Sequence, residues 1–419
     1  MKRLLSRFGR WEYKWLCVLV VAVLVTHFAI IKIPDKPVFD EAHYITDARG
    51  IIAGQETIRA EHPSLSKLFI IAGMLIFGDN SLGWRFFSVI LSAVSTILFY
   101  LICRNLSMSR RSSLLAAFLL AFENMTFLFY GMAMLDVACL TFTLAAFWLY
   151  LRGNYPMSGI MIALSALAKL NGAIAIIAIL LHWLIVRRDK IWEFIALLFF
   201  APVFFVFLMP LTDFYTFHRW VNPLVRITTM LKSSASLTFA NVSGTYPQRP
   251  LEWIFRWDLT PYYFHPNYLG VVSYTVEFLI IPVLIYMFVR SMVRQSDKKF
   301  TIKNPLKGIK LSAKPGNDAA IFGLCWFAAT YLVWIPAVWI TDRVTYPYYL
   351  YPTIGAFCIG LAMGLSQLIR IFEIRRSGKL RWAALSVVAL FLLAHLVFFV
   401  LMSPLTYYWG GPIFSGLAS

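Results

Sequence analysis

Eleven apolar runs set the limits on what this chain can fold into. They lie near residues 16–33, 84–103, 112–129, 132–151, 156–171, 173–186, 191–211, 269–289, 319–340, 346–368 and 382–402. A helix that crosses a bilayer needs about 20 mostly apolar residues, because only a closed hydrogen-bond ladder tolerates hydrocarbon. The pattern therefore predicts an all-α polytopic membrane protein with about eleven spans.

The connectors support that count. Basic residues concentrate on alternate connectors, beginning with Lys2, Arg3, Arg7, Arg10 and Lys14 and recurring at Arg104, Arg110 and Arg111, Arg187, Arg188 and Lys190, Arg290 to Lys314, and Arg370 to Arg381. Positive charge is retained on the cytoplasmic side, so the N-terminus is expected inside and the C-terminus outside. The first run lacks a small-residue cleavage site and reads as an uncleaved span rather than a removed leader. Two extracytoplasmic segments are long, 34–83 and 212–268, and both contain short amphipathic pieces such as 65–77 and 251–257. Thirteen residues cannot cross a bilayer upright, so these pieces are expected to lie in the interface. The basic segment 290–318 reads as a cytoplasmic loop near anionic headgroups, and residues 1–419 read as one integral membrane domain.

Composition closes off other classes. The chain is 60% hydrophobic and 14% charged, whereas soluble domains are about 45–50% apolar and 25% charged. Its net charge of +18 is spread over short loops and forms no stripe of the kind that binds nucleic acid. Cys17, Cys103, Cys139, Cys325 and Cys358 sit in or beside apolar runs without metal-ligand spacing, and no disulfide is expected. Gly360 and Gly364 have the spacing of a close helix contact.

Against this background the ionisable residues near span ends stand out. Asp40 and Glu41 follow the first run; on an extended segment their side chains would point opposite ways. A carboxylate at the water–lipid boundary is partly desolvated and becomes a better base near neutral pH, although two solvated loop acids would look the same in sequence. His62 and Lys67 precede and open the piece 65–77, and Arg85 begins the second run. Asp136 lies in the first turns of the fourth run, Lys169 and Asn171 near the end of the fifth, and Arg343 just before Tyr346, Tyr348, Tyr349 and Tyr351. Charges inside spans are costly and are usually paired or functional. Lys67 could equally snorkel, Asp136 could pair with Arg85, and the tyrosines could form an aromatic belt.

Taken in order, these motifs resemble one family. Phe39-Asp40-Glu41, His62-Pro63-Ser64-Leu65-Ser66-Lys67, Arg85-Phe86-Phe87-Ser88, Leu135-Asp136, Ala168-Lys169-Leu170-Asn171-Gly172, the Tyr246 to Trp253 segment and Tyr346 to Pro352 are similar to the protein O-mannosyltransferases. That family belongs to the GT-C class of multi-spanning enzymes that use lipid-linked sugars. The family's His-Pro-Pro is His-Pro-Ser here, and segment 212–268 has no room for the β-trefoil of the eukaryotic enzymes. The resemblance is thus to a bacterial or archaeal member, in the plasma membrane.

The resemblance implies inverting transfer of a mannosyl or related group from a polyprenyl-phosphate carrier to a hydroxyl outside the cytoplasm. A Ser or Thr hydroxyl needs a base, and Asp40 is the candidate, with Glu41 supporting it. Phosphate departure needs cations; the candidates are Arg85, Lys67, His62 and Arg343. Asp136, Lys169, Asn171 and Tyr346 are expected on the acceptor side. The implied partners are the lipid-linked sugar, a protein acceptor and membrane lipids, with the oligomeric state open. Asp40, Glu41, His43 and His62 match no Zn or Mg spacing, so no obligatory metal is expected. A same-fold transferase acting on a lipid or cell-wall glycan is the nearest alternative. A transporter or flippase would place charges at the midplane and show repeats, which this sequence does not.

Overall fold

The structure, a computed structural model, describes residues 11–188, 190–242, 246–264, 266–292, 294–295, 300–301, 317–374 and 378–409. Most of the basic segment 290–318 lies outside the described residues.

The chain begins with α1 (Trp11–Ile30), then α2 (Glu41–Ile52) and α3 (Leu65–Phe77) within the first long connector. α4 (Ser81–Asn105) is followed by α5 (Arg110–Ala121) and α6 (Asn124–Tyr130), which meet at a 68° bend. α7 (Leu135–Leu151) and α8 (Tyr155–Ala168) come next; Lys169 adopts an extended conformation that ends α8, and a 3₁₀ turn at Leu170–Ile174 leads into α9 (Ala175–His182). The longest helix, α10 (Ile191–Phe217), precedes α11 (Pro223–Ala235) and the short α12 (Glu252–Phe255). An antiparallel hairpin, β1 (Thr260–Tyr263) with β2 (Tyr268–Gly270), leads to α13 (Tyr274–Glu277) and α14 (Ile280–Met292). The remaining helices are α15 (Asn317–Phe327), α16 (Trp334–Thr341), α17 (Ile354–Ile374) and α18 (Lys379–Met402).

The all-α multi-pass expectation holds, apart from the hairpin in the second long connector and a two-residue pairing at Arg294–Gln295 with Phe300–Thr301. The count of eleven is not confirmed. Among the described residues seven helices are long and apolar enough to cross a membrane, and the bent α5–α6 pair makes eight. Three of the expected spans fold as the shorter α7, α8 and α14, of 17, 14 and 13 residues. At 1.5 Å per residue these fall short of a core about 30 Å thick. The 13-residue run at 65–77 is the helix its length suggested.

Lipid is the natural solvent for the outer faces. Val18, Val21 and Val25 of α1 and Leu390, Leu393 and Val397 of α18 are exposed, while the interior packs aromatics such as Phe147, Phe322 and Trp326. Two close approaches fix the elements that carry the site. A Cβ on Gly73 of α3 would come within 2.0 Å of the Gly83 carbonyl of α4, and one on Gly159 of α8 within 2.6 Å of the Leu197 carbonyl of α10. Only glycine allows backbones this near. The Gly360/Gly364 pair is half used: Gly360 packs against Val283, whereas nothing lies within 4 Å of a Cβ at Gly364.

Candidate active site

Asp40 is the N-cap of α2, yet its backbone is helical (φ −64°, ψ −13°) and its carboxylate makes no capping bond. An N-cap aspartate ordinarily accepts an N–H from the first turn. Phe39 supplies the turn instead, with a left-handed φ of 54°, a conformation that costs a non-glycine residue about 1–2 kcal/mol. Its ring is held from outside the connector, stacked on Tyr262 of β1 at 3.9 Å. Asp40 is thereby released to face a cavity of about 430 Å³, lined also by His43, Arg59, His62, Tyr262 and Tyr346. Burial raises the Asp40 carboxyl above the usual range, against the pull of Lys169, His43 and Arg59. Among the described residues no side chain or backbone group hydrogen-bonds to it.

Glu41 has the opposite fate. It is fully buried, and its carboxylate accepts Arg85 Nε at 2.9 Å and Arg85 Nη2 at 2.8 Å. It also accepts the N–H groups of Val38 (2.9 Å) and Ala133 (2.7 Å). Asp40 and Glu41 do diverge, but because they straddle a helix start; the extended segment expected from sequence is not what separates them.

Arg85 does not reach the cavity. Besides Glu41, its guanidinium donates to the carbonyls of Ile31 (2.9 Å), Pro34 (3.1 Å) and Lys36 (3.1 Å). All five N–H donors of an arginine are then occupied, so Arg85 clasps the chain between α1 and α2. Lys67 is likewise sealed, with its ammonium on Asp47 (2.9 Å), Thr57 (2.7 Å) and the Arg59 carbonyl (2.6 Å). Arg343 is partly exposed and donates to the Ser234 carbonyl, outside the cavity lining.

His62 and Tyr346 do line the cavity, as does Arg59, which sequence reasoning missed. Burial and the nearby cations Lys169, Lys67, Arg343 and Arg59 lower the His62 pKa well below its ordinary value, so the ring is neutral at pH 7. Arg59 donates to His43 Nδ1 at 2.6 Å and lies 3.6 Å from Glu61, while its Nε is buried without a partner. It is the arginine with donors to spare at this surface. The aromatic wall includes Tyr346 stacked on Tyr348 at 5.5 Å.

Asp136 and Lys169 form one buried pair, with Nζ 2.8 and 2.9 Å from the two carboxylate oxygens; the pairing of Asp136 with Arg85 weighed from sequence does not occur. With Asn171 and Tyr349 they line a separate small cavity of about 40 Å³. Lys169 also lies 5.6 Å from the Tyr348 ring and 5.8 Å from Tyr349, which connects the two cavities through the tyrosine wall. Among the described residues no group of three or more His, Cys, Asp or Glu side chains could hold a metal ion.

Similarity to known proteins points the same way. The model of the dolichyl-phosphate-mannose-protein mannosyltransferase family matches residues 61–212. A polyprenol-phosphate-mannose--protein mannosyltransferase of Mycolicibacterium smegmatis is 28% identical over 144 residues, a match that spans 32% of this chain and only 28% of that relative's length. The Saccharomyces cerevisiae protein O-mannosyltransferase Pmt1-Pmt2 complex bound to the sugar donor superimposes with a TM-score of 0.70 over 94% of this chain and 90% of that one, at 13% identity. ArnT from Cupriavidus metallidurans bound to undecaprenyl phosphate gives 0.57 over 95% and 73%, at 15% identity. His62, Lys67, Arg85, Asp136, Lys169 and Asn171 fall inside the matched segment, whereas Asp40, Glu41, Arg343 and Tyr346 lie outside it. By the fold, the chain is an integral multi-pass membrane protein of the GT-C class, and over residues 61–212 it is similar to the dolichyl-phosphate-mannose-protein mannosyltransferase family.

Proposed function

We propose that this protein transfers a mannosyl group from polyprenyl-phosphate-mannose to Ser or Thr hydroxyls of protein acceptors on the extracytoplasmic side of the plasma membrane, with inversion. The observation that carries this reading is Asp40: a carboxylate without partners, raised in pKa by burial and aimed into a cavity whose wall also carries Arg59 and His62.

In the proposed step, the acceptor oxygen forms a bond to the anomeric carbon as the bond from that carbon to the phosphate oxygen breaks. Asp40 takes the hydroxyl proton, and the electron pair of the broken bond stays with polyprenyl phosphate. A positioned base of this kind is worth about 10²–10⁴-fold. Arg59 takes the role that sequence gave to Arg85 and Lys67, stabilising charge on the departing phosphate. Neutral His62 offers a hydrogen bond rather than a charge. Arg85 and Glu41 serve by holding the loop, and the Asp136–Lys169 pair with Asn171 and Tyr346 frames the acceptor side. Arg59 is the cation of this reading at the cavity wall.

The test is transfer from radiolabelled polyprenyl-phosphate-mannose in membranes containing the protein. Label should enter protein and resist lipid extraction. Label recovered in a lipid or cell-wall glycan would replace the protein acceptor with the alternative one. Sidedness is tested with a reporter fused after Lys307, for which a cytoplasmic signal is expected.

A further inference from the structure

The segment from Thr57 to Ser64 carries Arg59, Glu61 and His62 to the cavity wall, and it has no secondary structure of its own. Its shape is imposed by two buried cations donating to its carbonyls. Lys67, paired with Asp47, donates to the Arg59 carbonyl at 2.6 Å. Arg226 donates through Nη1 to the Ala60 carbonyl and through Nη2 to the His62 carbonyl at 2.7 Å, while its Nε holds Asp213 at 3.0 Å.

The second clamp is the informative one, because it comes from elsewhere in the chain. Arg226 lies on α11, in the second long connector and beyond the family-matched residues 61–212. Asp213 sits near the end of α10, and its other oxygen accepts Ser64 Oγ at 2.5 Å. Thr216 adds two ties, its hydroxyl 2.7 Å from Ser64 Oγ and its carbonyl accepting the Thr57 N–H at 2.8 Å. Arg226 is 2% exposed and contributes nothing to the cavity wall. A buried arginine spent on main-chain oxygens fixes the backbone between two wall residues, the kind of supporting contact whose loss misplaces groups by about 1 Å.

We propose that Arg226 is a positioning residue, by which α11 of the second connector sets the placement of Arg59 and His62 for the lipid-linked phosphate. The assignment rests on the mannosyl-transfer reading above. Lysine at 226 would keep the charge opposite Asp213 and the buried pair, but one ammonium cannot reproduce the forked reach to both carbonyls.

The experiment uses the full chain purified in detergent, supplied with polyprenyl-phosphate-mannose and a Ser/Thr acceptor peptide. It compares wild type, Asp40→Asn, Arg226→Lys and the double variant Arg226→Met with Asp213→Asn, which removes the pair without leaving a lone buried charge. Wild-type transfer that Asp40→Asn abolishes establishes the reaction first. Arg226→Lys is then expected to melt within a few degrees of wild type yet lose at least about tenfold in kcat/KM for the donor, and the double variant about 10²-fold, with acceptor KM unchanged. Amide hydrogen exchange supplies a readout independent of transfer: residues 57–64 should exchange at least about tenfold faster in Arg226→Lys while α7 and α8 keep their protection. If wild type transfers nothing, the transfer reading fails, and exchange alone decides whether Arg226 holds the segment. Arg226→Lys within twofold of wild type in both readouts overturns the proposal. An Arg226→Lys protein that fails to fold overturns it too, since the pair would then be a requirement of folding.

Discussion

Adjacent in sequence, Asp40 and Glu41 are opposites in structure. Asp40 faces a cavity without a hydrogen-bond partner among the described residues, whereas Glu41 is saturated by Arg85 and two backbone N–H groups. The same contrast runs through the cations. Arg59 keeps free donors at the cavity wall, while Arg85, Lys67 and Arg226 spend theirs on carboxylates and main-chain oxygens. Around this cavity a charge that is fully satisfied builds the site, and one that is left unsatisfied is available to a substrate. The cost of leaving a buried polar group unpaired makes the second kind rare enough to be diagnostic.

The sharpest way to break this contrast is at Asp40. Asp40→Asn is isosteric and should leave the melting temperature unchanged while lowering kcat by about 10²–10⁴-fold, measured by label transfer. Because burial raises the carboxyl, the base is lost to protonation at a higher pH than usual. The acid limb of kcat/KM should therefore lie above pH 4, the ordinary carboxylate range. Retained activity, or a limb at the ordinary value, would remove Asp40 as the base.

Glu41→Gln should fail in the other way. It strands Arg85 without its counter-charge at a fully buried position, and breaking such a pair costs about 3–5 kcal/mol. The expected result is a fall in thermal stability or yield, with activity per folded molecule much less affected. Next in size, Arg59→Ala should fold normally and lose about 10²–10³-fold in kcat, the cost of one well-placed donor to developing negative charge. A stability loss at Arg59 without a kinetic one would place it with the sealed cations.

How much of this could be read from the sequence differs by link. The piece 65–77 was legible as a helix from its short apolar run, and Asp40, His62 and Tyr346, expected together from the pattern of connectors, line one cavity. The sealing of Arg85 was not legible, since it depends on the carbonyls of Ile31, Pro34 and Lys36, whose direction is set by the turn out of α1. Arg59 gave no signal, being a lone arginine in a polar stretch. The β1–β2 hairpin was hidden because strands of four and three residues are too short for alternation to show; its trace is the aromatic run from Tyr262 to Phe264, of which Tyr262 supports Phe39.

The smallest expected effect comes from an ion pair that belongs to neither class. Arg49 of α2 meets Asp79, just before α4, at 2.7 Å, with both side chains nearly half exposed. The Arg49 hydrogen bond, with a lesser contribution from Trp84, lowers the Asp79 carboxyl below its ordinary value. A carboxyl depressed by folding stabilises the protein above its unfolded pKa, and that contribution is lost as pH falls through the folded value. Solvent screening keeps it small, so Arg49→Ala should cost about 0–1 kcal/mol at pH 7, less at high salt, and nothing once the pH has fallen through the depressed folded value and Asp79 is protonated. A loss at pH 7 as large as that of Glu41→Gln would mean that exposure does not separate the two kinds of pair, and the distinction between clasp and surface contact would fall with it.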